Sequence, residues 1–498
     1  MRFSIPIFGG EHMPQKRKQN VPGKASRPKR RSSSYAKSSS YSRNGFSISN
    51  SPEKGIGQHA SRKSSSNQFG SSSFGNARSS VNGQGSKKSF TPEVVLTRRN
   101  LLIGAAGIGG VALLGGVGSM ALDAIDGPEV TIEYLEVPES AVANLESYSE
   151  VAADDYVSLV GSFELTYGTL VWADNDYVAA CLVPGKTSSP LNTVSLLFLS
   201  TGANPEVLSA AIGTSEHFEI FDARCSENGV IWTECNVLEN RWRVYTAQLS
   251  GADLGAATLV DEGDSNWLTP SIAAVGNTAF WQASPQTTGE NSKDNSVLKA
   301  ARFGSKESSV VYSSKRAFAT RVCPVADGVV ITPRVDSTSV YYQLTKIDES
   351  TLQTSDSLVL PTSMKPYEAS WGETGFSFAF ESIYNYGGGI ANLGTYTPLS
   401  KPAAYSYQNI PWFHFGRTPS SAPSWCGEWF AVKSTRAICA VNVTNSSYFM
   451  IDVPSGTDSY GEYLVSSGNN AYIVGLSQIT NVDDKEKNHA LVRVYSPR

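Results

Sequence analysis

The chain has 498 residues, 40% of them apolar, enough for a buried core and more than one ordinary domain needs. Its charge is split: residues 1–99 hold 19 Lys and Arg against three acids (Glu11, Glu53 and Glu93), and the remainder holds 22 bases against 42 acids. The acidic larger part repels polyanions, which excludes nucleic acid as its partner.

Residues 1–96 are dominated by Ser, Lys, Arg, Gly and Asn, with isolated apolar residues such as Phe46 and Phe74 that follow no period. Such a stretch cannot bury enough surface to offset chain entropy, so it reads as a disordered, basic, Ser-rich cytoplasmic tail. Its clusters Lys29-Arg30-Arg31 and Arg62-Lys63 suit an anionic lipid surface, at about 1 kcal/mol per charge.

Residues 97–125 form the next element. Thr97-Arg98-Arg99-Asn100-Leu101-Leu102 leads into residues 101–122, which carry no charge. A spanning helix needs about 20 residues. The flank before it is basic and the flank after it carries Asp123, Asp126 and Glu129, so the N-terminus is expected to stay inside. The arrangement of Arg98, Arg99, Leu101 and Leu102 resembles the twin-arginine (Tat) export signal of bacterial proteins, with Ile103 where that pattern often has Lys. The resemblance implies the Tat translocase as partner and export in the folded state. Ser119-Met120-Ala121 offers a cleavage site after Ala121. Uncut, the chain is a single-pass cell-membrane protein with an extracytoplasmic C-terminal domain, the outcome the long leading tail favours. Cut, the domain is secreted.

Residues 129–498 are dense in strand signals. An apolar run, a polar turn and a second apolar run recur seven times, as in "DARCSENGVIWTEC" and "PSIAAVGNTAFWQA". The turns centre on Asp176, Gly229, Asn277, Gly328, Gly375, Glu428 and Asn470, 42 to 53 residues apart. Turn residues that tolerate positive φ suit such hairpins. A second hairpin follows each, giving four short strands per repeat, the WD40-like period of a propeller blade. The expected fold is all-β: a seven-bladed β-propeller closed into a ring. The last repeat lacks its outer strand, and residues 129–138 are expected to supply it by pairing with residues 489–496. A pair of β-sandwiches is the alternative. The turn Ser226-Glu227-Asn228-Gly229 resembles that of TolB-like propellers, which implies fold and no particular activity.

Catalytic motifs are missing. Neither Gly-x-Ser-x-Gly nor His-Glu-x-x-His occurs, and Ser226 to Trp232 misses the sialidase Asp-box because Gly229 comes one place early and Asn228 replaces Asp. The exported part has three histidines, His217, His414 and His489. Its six cysteines form no Cys-x-x-Cys and read as buried free thiols, with one disulfide open. The acidic stretches 261–266 and 481–488 lack EF-hand spacing and read as solvated loops. No cofactor or metal is implied. One repeat is irregular: Gly387, Gly388 and Gly389 lie among Tyr384, Tyr386, Tyr405, Tyr407, Trp412, Phe413 and His414, an aromatic-rich candidate binding surface. The sequence therefore leans away from an enzyme and toward an extracytoplasmic binding or scaffold module for an envelope protein or glycan. The alternative is an exported hydrolase or lyase with residues converging at the channel mouth. Converging acids and arginines there favour the enzyme; a broad aromatic patch favours binding.

Overall fold

The computed structural model describes residues 132, 134–135, 142–144, 147–372, 375–382, 391–395, 412–414, 421–442 and 444–498. The calls on residues 1–96, Arg98, Arg99, Leu101, Leu102, Ala121 and the span 101–122 fall outside them. Among the described residues no helix is long and apolar enough to cross a membrane.

Each recurring apolar run becomes a strand and each polar turn a reversal. The described strands form seven sheets, taken here in chain order. Sheet 1 is built from Leu170–Trp172, Val178–Pro184, Asn192–Phe198 and Glu206–Leu208. Sheet 2 begins with Glu219–Ser226 and Gly229–Asn236 and continues through Arg241–Ser250 to Thr258–Gly263. Sheet 3 runs from Ser271–Val275 through Thr278–Ala283 and Ser296–Arg302 to Ser309–Ser314. Sheet 4 runs from Cys323–Val325 through Gly328–Ile331 and Gln343–Asp348 to Thr354–Val359. Sheet 5 contains Met364–Trp371, Phe376–Ser382, Ala391–Thr395 and Trp412–His414. Sheet 6 contains Ser424–Cys426, Trp429–Lys433, Ile438–Asn442 and Ser447–Met450. Sheet 7 contains Tyr463–Leu464, Ile473–Ile479 and His489–Pro497.

Both faces of these sheets are covered, which is why many strands read as continuous apolar runs. Val178, Ala180 and Leu182 pack with Trp232 and Tyr245 of sheet 2. The alternate residues Ala179 and Cys181 pack with Val474 and Val492 of sheet 7. The same alternation places one apolar cluster at every junction between consecutive sheets, with the cluster between sheets 7 and 1 completing the circuit. A circuit of face-packed antiparallel sheets is a β-propeller, and it leaves only short strand edges.

The closing strand is not the expected one. Val157–Thr166 pairs antiparallel with His489–Pro497, from Val157 opposite Pro497 to Thr166 opposite His489. The preceding residues form a strap over earlier sheets. Leu135, fully buried, donates its N–H to the carbonyl of Val359 in sheet 4 (2.9 Å). Val142–Asn144 pairs parallel with Trp412–His414 in sheet 5, and Ser149–Glu150 pairs parallel with Ser447–Met450 in sheet 6. The chain must pass these three sheets before it reaches sheet 7, so residues 129–138 lie too early to close the ring.

Gly276 (φ 51°) and Gly427 (φ 58°) take the positive φ expected of the turns, but two turn glycines answer to a different constraint. Gly229 and Gly328 are not among the residues with positive φ. A Cβ on Gly229 would sit 2.2 Å from the Phe303 ring, and one on Gly328 would sit 2.0 Å from the Ile347 carbonyl oxygen. Close approach, not a left-handed turn, requires glycine there. All six cysteines are buried and free.

Candidate functional site

The first strand of each sheet lies nearest the axis of the ring, and one segment of the chain reaches across several of them. Residues 465–471, between the first two strands of sheet 7, reach four other sheets. Val465 accepts from the Ala173 N–H of sheet 1 (2.9 Å), and Ser467 Oγ donates to Asp174 Oδ1 (3.0 Å). The Gly468 N–H donates to Ser370 Oγ of sheet 5 (3.2 Å). Gly468–Asn469 pairs parallel with Ser424 and Trp425 of sheet 6. A Cβ on Gly468 would lie 3.0 Å from the Pro324 carbonyl oxygen of sheet 4. Only a segment on the axis can meet sheets 1, 4, 5 and 6 together.

Next to this segment the inner strands converge charged side chains. Arg224 of sheet 2 ion-pairs with Asp222 on its own strand and approaches Asp174 Oδ2 of sheet 1 (Nε, 3.6 Å). Its guanidinium carbon lies 3.9 Å from the centre of the Trp172 ring. All three charged groups are nearly enclosed, with side chains 5–13% exposed. Burial raises the Asp174 carboxyl; the Arg224 charge and the Ser467 hydroxyl partly offset it.

Cys323 of sheet 4 extends the cluster toward Ser370, Ser467, Asp174 and Glu368, and burial pushes its thiol up to about 12. A thiol so raised is not a nucleophile at neutral pH. Glu368 of sheet 5 is half-buried, and burial raises it to about 7, with the Arg321 charge acting in the other direction. Arg321, just before the inner strand of sheet 4, is exposed. Among the described residues neither the Arg321 guanidinium nor the Glu368 carboxylate has an ion-pair or hydrogen-bond partner.

Two β-bulges mark the same inner strands. The register with the second strand shifts between Ile220 and Asp222 in sheet 2 and between Pro366 and Glu368 in sheet 5. The extra residues, Phe221 and Tyr367, are 57% and 53% exposed. A bulge re-aims the adjoining side chain. Here the adjoining side chains are Asp222 and Glu368.

The sequence-predicted sites fall elsewhere. Tyr384, Tyr386, Tyr405 and Tyr407 lie outside the described residues. Trp412, Phe413 and His414 form the fourth strand of sheet 5, between Ala391–Thr395 and the strap, away from the inner strands. His217 ends a short 3-10 turn in a left-handed conformation (φ 62°), and His489 opens the third strand of sheet 7. None of the three histidines is on an inner strand. The two acidic loops are occupied by their own contacts. Asp261 accepts from Trp281 Nε1 (2.7 Å) and Lys299 Nζ (2.8 Å), and Asn481 Oδ1 accepts from the N–H groups of Asp483 and Asp484 (3.0 Å each). Among the described residues no three His, Cys, Asp or Glu side chains are grouped to hold a metal ion. Asp222, Arg224, Arg321 and Glu368 carry no motif; the one sequence signal was a charged residue within an otherwise apolar inner strand.

No family model matches the chain, and no curated protein matches it. Solved structures with a similar arrangement include a prolyl endopeptidase (11% identity, 71% of this chain and 48% of that one, TM-score 0.43). An oligogalacturonate lyase in complex with manganese aligns at 10% identity over 68% of this chain and 98% of that one (TM-score 0.41). The β-propeller domain of the Trilobed protease from Pyrococcus furiosus aligns at 8% identity over 65% of this chain and 91% of that one (TM-score 0.39). The chain spans about half the length of the endopeptidase. Likeness at this level carries nothing about chemistry, and the β-propeller fold rests on the chain's own circuit of sheets.

Proposed function

We propose that this protein is an exported propeller enzyme of hydrolase or lyase type, with Glu368 as its general acid–base. The observation that carries the reading is the Glu368 carboxyl, half-buried beside a bulge, near neutrality and without an ion-pair partner. A carboxyl in that range can take a proton from water or substrate and return it to a leaving group at physiological pH. The test is turnover of a panel of peptide and glycan substrates by the full chain and by Glu368→Gln. The expected result is a loss of at least ~100-fold in kcat for the variant, in line with general acid–base contributions. Full turnover by the variant, or none by the parent on any substrate, overturns the reading.

A second reading is a tethered binding or scaffold module without turnover. It is favoured by residues 465–471, which bond to the inner ends of sheets 1, 5 and 6 and give Asp174, within the Asp174–Arg224–Asp222 group, a structural partner in Ser467. Recovery of a defined envelope partner by the full chain, with no turnover, selects it.

In both readings each of the seven sheets is one blade of a closed ring. Both also place the ring outside the cytoplasm, directed there by Arg98 and Arg99 through the Tat translocase and held by residues 101–122 unless cleaved after Ala121.

A further inference from the structure

The antiparallel order of each sheet sorts the loops of the ring between two faces. The loops between second and third strands share one face with the connections that lead from one sheet to the next. Three bonds tie these segments together. The Leu191 N–H donates to Glu219 Oε2 (2.8 Å), the Arg334 N–H to Ser314 Oγ (2.9 Å) and the Glu462 N–H to the Arg436 carbonyl (2.8 Å). This face presents apolar side chains where turn chemistry favours Gly, Asn or Asp. Val237 and Leu238 stand together in the turn between Gly229–Asn236 and Arg241–Ser250, Leu238 at 89% exposure. Val482, between Ile473–Ile479 and His489–Pro497, is 96% exposed. Ile212 and Tyr460, on the connections into sheets 2 and 7, and Val340, in the corresponding loop of sheet 4, are exposed as well. The opposite face carries polar turns at Asn228, Asn277 and Asp327.

The chain enters the ring from the apolar face. The Tyr134 ring lies 5.8 Å from that of Tyr341, in the loop that holds Val340, and Leu135 bonds to Val359, the last residue of the outer strand of sheet 4. Tyr134 stands 12 positions after Leu122, the end of the charge-free run 101–122, a reach of about 40 Å at full extension. Resting on the reading of that run as a membrane span, we propose that this face of the ring docks on the surface of the lipid bilayer, with Val237, Leu238, Tyr460 and Val482 seated among the headgroups. These side chains stand on separate loops around one end of the ring, so a lipid surface meets them together where a single bound peptide does not. Apolar and aromatic side chains of this kind partition into the interface to a depth of about 5–10 Å. The span supplies attachment and the face supplies orientation, which turns residues 465–471 and the polar turns away from the membrane.

All six cysteines are buried, so a cysteine placed on a loop alone takes a thiol-reactive dye. The test labels Leu238→Cys, Val482→Cys and, on the opposite face, Tyr177→Cys with a fluorophore in the full chain. Each is reconstituted into phosphatidylcholine–phosphatidylglycerol vesicles that carry a lipid-bound nitroxide quencher. The expected result is that the dyes at 238 and 482 are quenched at least ~2-fold more strongly than the dye at 177, as seating at interfacial depth requires. Equal quenching at the three positions, or none at any, overturns the proposal. Shielding of the dye at 238 from a water-soluble quencher before vesicles are added assigns the face to a second copy of the chain and overturns it too. Extraction of the same vesicles with alkaline carbonate reads the span separately. A chain that stays in the membrane without the difference in quenching sinks the docking face alone, and one that shows the difference yet washes off sinks the span alone.

Discussion

At the scale of the residue, Glu234 and Glu368 show two opposite relations of a carboxyl to the fold. Glu234 is fully buried and accepts from the N–H groups of Ile212 (2.6 Å) and Gly213 (2.9 Å) and from Trp232 Nε1 (3.1 Å). Glu234→Gln turns an amide NH2 toward those donors. It is expected to lower stability by about 2–3 kcal/mol, the worth of a charge-assisted buried bond, measured by urea denaturation. Glu368 behaves in the opposite sense. Its folded-state value, near 7, lies above the unfolded value near 4.5. The protonated form is therefore favoured by folding, and its contribution is fully present below pH 4.5 and lost as pH rises through 7. Glu368→Gln is accordingly expected to raise Tm at pH 8 relative to the parent and to change it little at pH 4.5, seen by thermal melts across that range. This group was not legible in the sequence. "YEAS" inside a strand gives no sign of an acid near neutrality, because the cause is burial against sheet 4 and a bulge that only pairing creates.

At the scale of the element, the seven hairpins were legible because an apolar run, a polar turn and a second apolar run repeat locally. The closing strand was not. Val157–Thr166 is an outer strand with half of its ten residues exposed, so its pattern is weaker than that of the β-branched stretch 129–138. Nothing local records that the chain first crosses sheets 4, 5 and 6. The strap and the closing strand make separable predictions. A chain starting at residue 147 keeps the closing strand and is expected to unfold cooperatively at a lower temperature. One starting at residue 168 bares the edge of His489–Pro497 and is expected to aggregate, since an open edge pairs with other chains; light scattering distinguishes the two. On the axis, Gly468 has φ +75° and its Cβ would press on the Pro324 carbonyl. Gly468→Ala is expected to cost about 1–3 kcal/mol, and an unchanged Tm would argue against the axial placement of residues 465–471.

At the scale of the whole molecule, every sheet is buried by two neighbours, so no sheet can leave without exposing two apolar clusters. Phe376, Phe378 and Phe380 are fully buried between sheets 4 and 5. Phe378→Ala is expected to cost about 3–5 kcal/mol and to lower a single calorimetric transition instead of splitting it. The charge split of the sequence sets the expectation of a leading region distinct from the ring. The destination implied by Arg98 and Arg99 is checked by Arg98→Lys with Arg99→Lys, which is expected to leave the ring in the cytoplasm. The pairing of Val157–Thr166 with His489–Pro497 has a consequence in time. Ser158 and Arg498, hydrogen-bonded across this seam, stand 340 positions apart. The two halves of the seam can meet only after six intervening sheets have been made and arranged, and loops of that span close slowly. Until then both halves are bare edges, and a chain interrupted anywhere between them has no way to finish. The seam therefore works as a proof of completeness: only a chain with every sheet in place can fasten it.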